Sequence, residues 1–148
     1  MLIPASLHRL ALRVGHVLRI VRWQLARPRI HGVSVIARDG EGRVLLIRQT
    51  YGPRHWVLPG GGVRRNEPVT DAAAREFKEE LGCPVTDLCL LQVREEPLHG
   101  ATNVVHLFTA SLAGEPRPDR REVGAAQLFA LDALPSVSPR TRARLRLL

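Results

Sequence analysis

The sequence predicts one α/β domain preceded by an N-terminal helix. Three observations support this fold class. Apolar residues recur at helical spacing through residues 7–25, β-rich runs begin after Gly32, and residues 69–81 separate apolar from acidic side chains as an amphipathic helix does. At 148 residues, the chain has the length of a single domain with its own core.

The first predicted element is a basic amphipathic helix within residues 1–29. Its apolar stripe consists of eight aliphatic residues, namely Leu7, Leu10, Ala11, Val14, Val17, Leu18, Val21 and Leu25. Pro28 ends the helix. Such a helix docks on the domain or on a second subunit, or it lies on an anionic membrane. Because Leu12, Ile20 and Trp23 make it apolar on more than one side, we favour burial between two surfaces over peripheral membrane contact. Our hypothesis is a homodimer formed through this helix.

Residues 30–148 are predicted to form the domain itself. Strands and apolar segments are expected at residues 32–39, 43–49, 55–58, 88–95, 103–112 and 127–134. A helix is expected at Val69–Leu81, with Gly82 as its C-terminal stop. Ser138 and Pro139 suit the N-cap and first position of a terminal helix.

The net charge of +8 is concentrated at the two ends of the chain. Residues 1–30 contain six arginines and residues 140–148 contain four, and neither segment has an acidic residue. All 14 acidic residues lie between these ends. A high overall charge is therefore a weak argument for binding nucleic acid, and we do not expect a nucleic-acid partner.

The sequence also indicates where the protein resides. No segment reaches the roughly 18 uninterrupted apolar residues of a transmembrane helix. Arginines interrupt the N-terminus, so it lacks the compact apolar region of a secretory signal. Two cysteines, Cys83 and Cys89, are too few for a disulfide framework. We expect an unprocessed cytoplasmic protein with reduced thiols.

The predicted helix at residues 69–81 carries an unusual acidic face. Glu76, Glu79 and Glu80 are spaced i, i+3 and i+4, and like charges at this spacing destabilise an isolated helix by roughly 0.2–0.5 kcal/mol per pair. A bound cation would compensate this cost, and Mg²⁺ prefers such oxygen ligands. Arg75 can hold a neighbouring carboxylate through paired hydrogen bonds. The glycines at residues 60–62 allow close backbone approach or a carbonyl ligand.

These features form one continuous pattern, G-x5-E-x7-R-E-U-x-E-E-x-G-U, in which U is a bulky apolar residue. It resembles the box of the Nudix hydrolase family, and all of its fixed positions are present. The matching residues are Gly61, Glu67, Arg75, Glu76, Phe77, Glu79, Glu80, Gly82 and Cys83.

The resemblance extends over roughly residues 31–135 and implies both a fold and an activity. The implied fold is a Nudix-type α/β/α sandwich with a mixed β-sheet. The implied activity is hydrolysis of the pyrophosphate bond in a nucleoside diphosphate linked to a variable group, a small nucleotide-derived substrate. The implied cofactor is Mg²⁺, with Mn²⁺ as the alternative.

The resemblance also implies roles for individual residues. The implied metal ligands are Glu76, Glu79, Glu80 and the Gly60 carbonyl. Glu67 and Arg75 would orient the helix and its carboxylates. The general base remains open, because relatives carry a late glutamate where this chain has Ala125. Either Glu122, three residues earlier, serves from a shifted loop, or Glu79, our choice, activates the water.

Two alternatives to a Nudix enzyme are open. One is a catalytically inactive Nudix-fold sensor that binds a nucleotide or another ligand. The complete box argues against it, and the missing acid at Ala125 argues for it. The other is an RNA- or membrane-associated protein that binds through its arginine-rich ends. The sequence does not name the substrate or its leaving group.

Overall fold

The computed structural model describes residues 5–148, and it describes side chains from Leu10 onward. Three helices and six strands lie along this part of the chain. In order, they are α1 (Ala5–Ala26), β1 (Arg29–Arg38), β2 (Val44–Gln49), β3 (Gly60–Gly62), α2 (Val69–Leu81), β4 (Val85–Leu98), β5 (Ala101–Leu112), β6 (Val123–Phe129) and α3 (Pro139–Leu145).

The strands form one mixed sheet in the order β4-β5-β1-β2-β6, and β3 pairs with β1 off this path. β1 and β5 are parallel along the whole of β1, and the other pairs are antiparallel. Since side chains alternate across a strand, β1 supplies both cores. Val35 packs with Phe77 of α2 on one face, and Ile36 packs with Leu145 of α3 on the other. The predicted mixed α/β sandwich is confirmed.

The two predicted helix boundaries are also confirmed. α2 spans Val69–Leu81 and ends at Gly82, which has a left-handed φ of 63° and whose N–H bonds to the Lys78 carbonyl. α3 begins after Ser138, whose side chain accepts a hydrogen bond from the Thr141 N–H. Local capping chemistry is therefore enough to place these ends.

The predicted third strand at residues 55–58 is wrong. Trp56 and Val57 form only isolated bridges, to Val137 and Ile47, and the strand is the glycine run Gly60–Gly62 instead. Glycine has low intrinsic strand propensity, so only the hydrogen bonds to β1 define this element.

The hairpin of β4 and β5 is longer than predicted. β4 begins at Val85 rather than at residue 88 and runs on to Leu98. The chain then turns through His99 and Gly100, both of which have positive φ. Pairing with β5 extends the strand beyond the residues that have strand propensity of their own.

α1 contacts the domain with the residues outside its apolar stripe. Its half-buried side chains are Leu12, His16, Ile20 and Trp23. The His16 ring centroid lies 5.7 Å from that of Tyr51 and 5.8 Å from that of His99. A Cβ at Gly100 would lie 2.7 Å from the Cα of Gln24, so the helix backbone lies directly on the β4–β5 turn.

The stripe itself faces away from the domain. Its large aliphatic side chains in the described region are all exposed, namely Leu10, Val14, Val17, Leu18, Val21 and Leu25. The domain therefore covers only one of the two apolar sides of α1. None of the described helices is long and apolar enough to cross a membrane.

Candidate active site

The acidic face of α2 lies against the glycine strand β3. The Gly60 N–H donates a 3.0 Å hydrogen bond to Glu80 Oε2, and the Glu80 side chain is only 6% exposed. A Cβ on Gly61 would lie 2.4 Å from the carboxyl carbon of Glu76. The absence of side chains in β3 is what lets two helix carboxylates approach the sheet backbone.

Arg75 connects the acidic residues of the box. Its Nε and Nη2 donate to the two carboxylate oxygens of Glu67 at 2.7 and 2.9 Å. Its Nη1 donates to Glu76 at 2.8 Å and to Glu79 at 3.2 Å. Its Nη2 also donates to the Gly62 carbonyl at 3.0 Å. One guanidinium therefore joins the loop after β3 to α2.

The pKa of Glu67 reflects this bidentate contact. The Arg75 hydrogen bonds, helped by the Arg64 N–H that lies 2.8 Å from Glu67 Oε2, lower this pKa from 4.5 to about 2. A folded-state pKa below the unfolded value means that this carboxylate stabilises the fold above about pH 4.5. That stabilisation is lost as the pH falls from about 4.5 toward 2.

We therefore predict a pH-dependent difference in stability between the wild type and Glu67→Gln. In urea unfolding, the variant should be less stable near pH 6, and the difference should shrink steadily as the pH approaches about 2.5. Asp71→Asn, which removes an exposed carboxylate from the nearby first turn of α2, is the matched control. A difference that stays constant over this range would contradict the prediction.

The pKa of Glu80 is shifted in the opposite direction to that of Glu67. Burial raises its pKa well above the ordinary value, the Gly60 N–H opposes this shift, and the negative charges of Glu76, Glu122 and Asp119 raise it further. Buried carboxylates gathered in this way are costly as anions unless a cation joins them. Carboxylate oxygens are the ligand type that a hard divalent cation prefers.

The position of Glu122 could not be derived from the sequence. Its charge acts on both Glu80 and the half-buried Tyr51, whose pKa is raised first by burial and then by Glu122. Glu122 therefore lies close enough to Glu80 and Tyr51 for its charge to act on both. By contrast, Ala125 is a β6 residue paired with Arg48 of β2, whereas Glu122 lies in the loop just before that strand.

Asp119 shapes the loop that carries Glu122. Its Oδ1 accepts hydrogen bonds from the N–H groups of Arg121, Glu122 and Val123 at 3.0, 3.0 and 2.9 Å. The Glu122 carbonyl also accepts from the Thr50 N–H at 2.9 Å. An aspartate followed by a turn is a signal that sequence reasoning could have used, and it was missed.

The predicted metal ligands are close together but not arranged round one point. In the described part of the chain, no three His, Cys, Asp or Glu side chains are grouped so that they could hold a metal ion. Glu76 is engaged with Arg75, while Glu79 is 51% exposed and bonds to Arg64 and Arg75. Binding a cation would require Glu76 and Glu79 to exchange these arginine contacts for the metal.

Comparison with known proteins identifies the family. Residues 28–148 match the NUDIX domain. The chain belongs to the Nudix family. Its fold is similar to that of the MutT NUDIX hydrolase from Burkholderia pseudomallei, with 35% sequence identity and a TM-score of 0.74 over 81% of this chain and 98% of that chain.

Two curated Nudix relatives differ in the substrate that their names give. One, from Mycobacterium tuberculosis, has the provisional name 8-oxo-dGTP diphosphatase 2 and is 37% identical over 64% of this chain and 74% of its own. The other is the RNA pyrophosphohydrolase of Teredinibacter turnerae, 38% identical over 43% of this chain. The chain matches only 37% of the length of the second relative.

The two neighbouring Nudix glycines are predicted to respond differently to alanine. In Gly60→Ala, the new Cβ would lie 2.1 Å from the Val33 carbonyl oxygen, so the fold should lose about 2 kcal/mol or more. In Gly61→Ala, the Cβ would meet the movable carboxylate of Glu76 instead. We expect that variant to fold normally but to lose turnover about 10- to 100-fold.

Thermal denaturation together with turnover checks this glycine pair. Each variant is the control for the other, because both add one methyl group to the same strand. Wild-type turnover in Gly61→Ala, or an unchanged melting temperature in Gly60→Ala, would contradict the clash on which the prediction rests.

Proposed function

We propose that this protein hydrolyses the pyrophosphate bond of a nucleoside diphosphate linked to a variable group, with Mg²⁺ as cofactor and Mn²⁺ as the alternative. One observation carries the proposal. The carboxylates of Glu80, which is buried, and of Glu76 both lie against the glycine strand, in a family whose hydrolases generally use divalent metals.

The metal ligands in this proposal are Glu76, Glu79, Glu80 and the Gly60 carbonyl. When bound, a divalent cation neutralises the pyrophosphate and lowers the pKa of an attacking water. Glu67 and Arg75 hold α2 against the loop after β3, and this positions the carboxylates. Phosphoryl-type displacement depends mainly on such positioning and charge stabilisation.

We propose Glu122 as the general base, in place of the sequence-based choice of Glu79. Glu79 accepts hydrogen bonds from Arg64 at Oε1 and from Arg75 at Oε2, so both of its carboxylate oxygens are already engaged. Glu122 instead is exposed in the loop before β6 and lies close enough to Glu80 and Tyr51 for its charge to act on both.

A cavity of about 950 Å³ beside β3 is the proposed site for the rest of the substrate. α1 contributes Arg19 and Trp23 to its wall. Ser34 Oγ and Asn103 Oδ1, from two other lining residues, are buried polar atoms without a hydrogen-bond partner among the described residues. Such atoms are suited to a polar ligand, and the volume accommodates a nucleoside or a sugar.

A substrate panel tests the proposed function. It should contain nucleoside triphosphates, 8-oxo-dGTP, ADP-ribose, nucleotide sugars, dinucleoside polyphosphates and a 5′-triphosphate RNA, each with Mg²⁺ or Mn²⁺. We expect phosphate or pyrophosphate release that stops on chelation with EDTA and returns when the metal is restored. Turnover that survives the chelator would contradict the metal dependence.

A catalytically inactive ligand-binding sensor is the second candidate. Its support was the missing acid at Ala125, and the position of Glu122 weakens that support. Metal-dependent ligand binding without turnover on the whole panel would favour the sensor.

Three other predictions from the sequence remain proposals. They are a cytoplasmic location, a domain that begins at residue 30, and a homodimer formed through α1, the last of which the charges beside the outer face of α1 disfavour. Both described cysteines are free.

A further inference from the structure

The outer face of α1 is an apolar surface that the domain leaves uncovered. Its six large aliphatic side chains are exposed to fractions from 48% for Val21 to 83% for Leu25. They lie opposite His16 and Trp23, which contact the domain. Contiguous apolar patches on a soluble chain generally mark a site of interaction with another protein or with a membrane.

The charges beside this face indicate what it binds. On a helix with 3.6 residues per turn, Arg13 lies along one flank of the stripe and Arg22 along the other, and both are exposed. No acidic residue occurs anywhere in residues 1–30. Every charge bordering the apolar face is therefore positive.

This charge pattern disfavours a second copy of the chain as the occupant. Pairing two α1 helices through their stripes would bring arginine flanks together with no carboxylate on either helix to neutralise them. Like charges juxtaposed at an interface oppose association. An anionic surface has the complementary charge and also accepts the apolar stripe.

We propose that α1 is a peripheral membrane anchor that lies flat on a bilayer containing anionic phospholipid. The stripe enters the boundary between headgroups and acyl chains, and Arg13 and Arg22 reach the lipid phosphates from its two sides. His16 and Trp23 keep the domain attached to the opposite face of the helix, so lipid binding leaves the proposed substrate cavity unobstructed. The anchor does not depend on the proposed hydrolase activity.

Flotation of the full chain with lipid vesicles tests the anchor. Vesicles of phosphatidylcholine alone are compared with vesicles of equal parts phosphatidylcholine and phosphatidylglycerol. We expect binding to the anionic vesicles only. The stripe variant Leu18→Asp/Val21→Asp should lower the bound fraction about tenfold or more, because it removes two large apolar groups from the boundary. Arg13→Gln/Arg22→Gln should weaken binding severalfold and reduce its sensitivity to salt.

Leu131→Asp is the control, since it also places an aspartate on an exposed leucine, in the loop after β6, and it should bind like the wild type. Circular dichroism confirms that each variant is folded. Absence of binding to anionic vesicles would overturn the proposal, as would binding that survives the stripe substitutions. A third result would also overturn it, namely a wild type that does not bind vesicles but forms a concentration-dependent dimer, with Leu18→Asp/Val21→Asp dissociating that dimer. A second copy of the chain would then cover the face.

Discussion

Glu80→Gln is expected to lower kcat by more than about 100-fold. Loss of a group that merely supports a metal ligand costs 10- to 100-fold, and Glu80 is proposed as a ligand itself. It is also the most buried carboxylate of the box, at 6% exposed. Glutamine has the same shape and can still accept the Gly60 hydrogen bond, so the change removes charge rather than packing.

The same Glu80→Gln substitution should not destabilise the metal-free protein. Burial and the negative charges of Glu76 and Glu122 oppose ionisation of Glu80, so a neutral side chain relieves an unfavourable interaction. We therefore expect a melting temperature in EDTA that is equal to or above that of the wild type, and loss of the extra stability that Mg²⁺ gives to the wild type.

Two measurements test these predictions for Glu80→Gln. One is turnover at saturating substrate, and the other is thermal denaturation with and without Mg²⁺. Asp71→Asn, an exposed carboxylate change in the first turn of the same helix, should match the wild type in both. A Glu80→Gln variant that keeps turnover within about tenfold of the wild type would exclude Glu80 as an essential ligand.

Glu122→Gln is expected to lower kcat by about 10²- to 10⁴-fold, the usual contribution of a positioned general base. The metal concentration that gives half-maximal activity should stay near the wild-type value, because Glu122 is not a proposed ligand. The acidic limb of the pH–rate profile should flatten, since the group that must lose its proton has been removed.

Glu79→Gln is the matched comparison, because it changes the same residue type in the same cluster. If Glu79 is a ligand but not the base, its loss should raise the metal requirement, and saturating metal should restore part of the activity. If Glu122→Gln keeps near-normal turnover and Glu79→Gln abolishes it at saturating metal, the base is Glu79, as the sequence alone suggested.

The ends of the helices and the identity of the family depended on local information. Gly82 stops α2 because a left-handed residue is needed there, and Ser138 caps α3 through its own hydroxyl. The spacing of Glu76, Glu79 and Glu80 places them on one face of any α-helix. Signals of this kind involve residues a few positions apart, so a single sequence contains them in full.

Elements that are stabilised by residues far away in the sequence could not be predicted from local signals. Gly60–Gly62 is a strand only because β1 lies beside it. Glu122 could not be assigned to the site from the sequence, because the turn made by Asp119 and the pairing of Thr50 with the loop decide where its carboxylate lies. Arg75 had several acidic neighbours within reach, and the fold selects Glu67, which provides a bidentate contact.

The N-terminal helix shows both what local sequence determines and what only distant contacts decide. The sequence by itself determined that α1 is an amphipathic helix, that it is basic, and that it is apolar on more than one side. Only the tertiary structure decided which side the domain covers, because His16 contacts Tyr51 and Gln24 contacts Gly100 in the β4–β5 turn. Helical periodicity records which side chains share a face, whereas burial depends on the shape of a surface built from residues far along the chain.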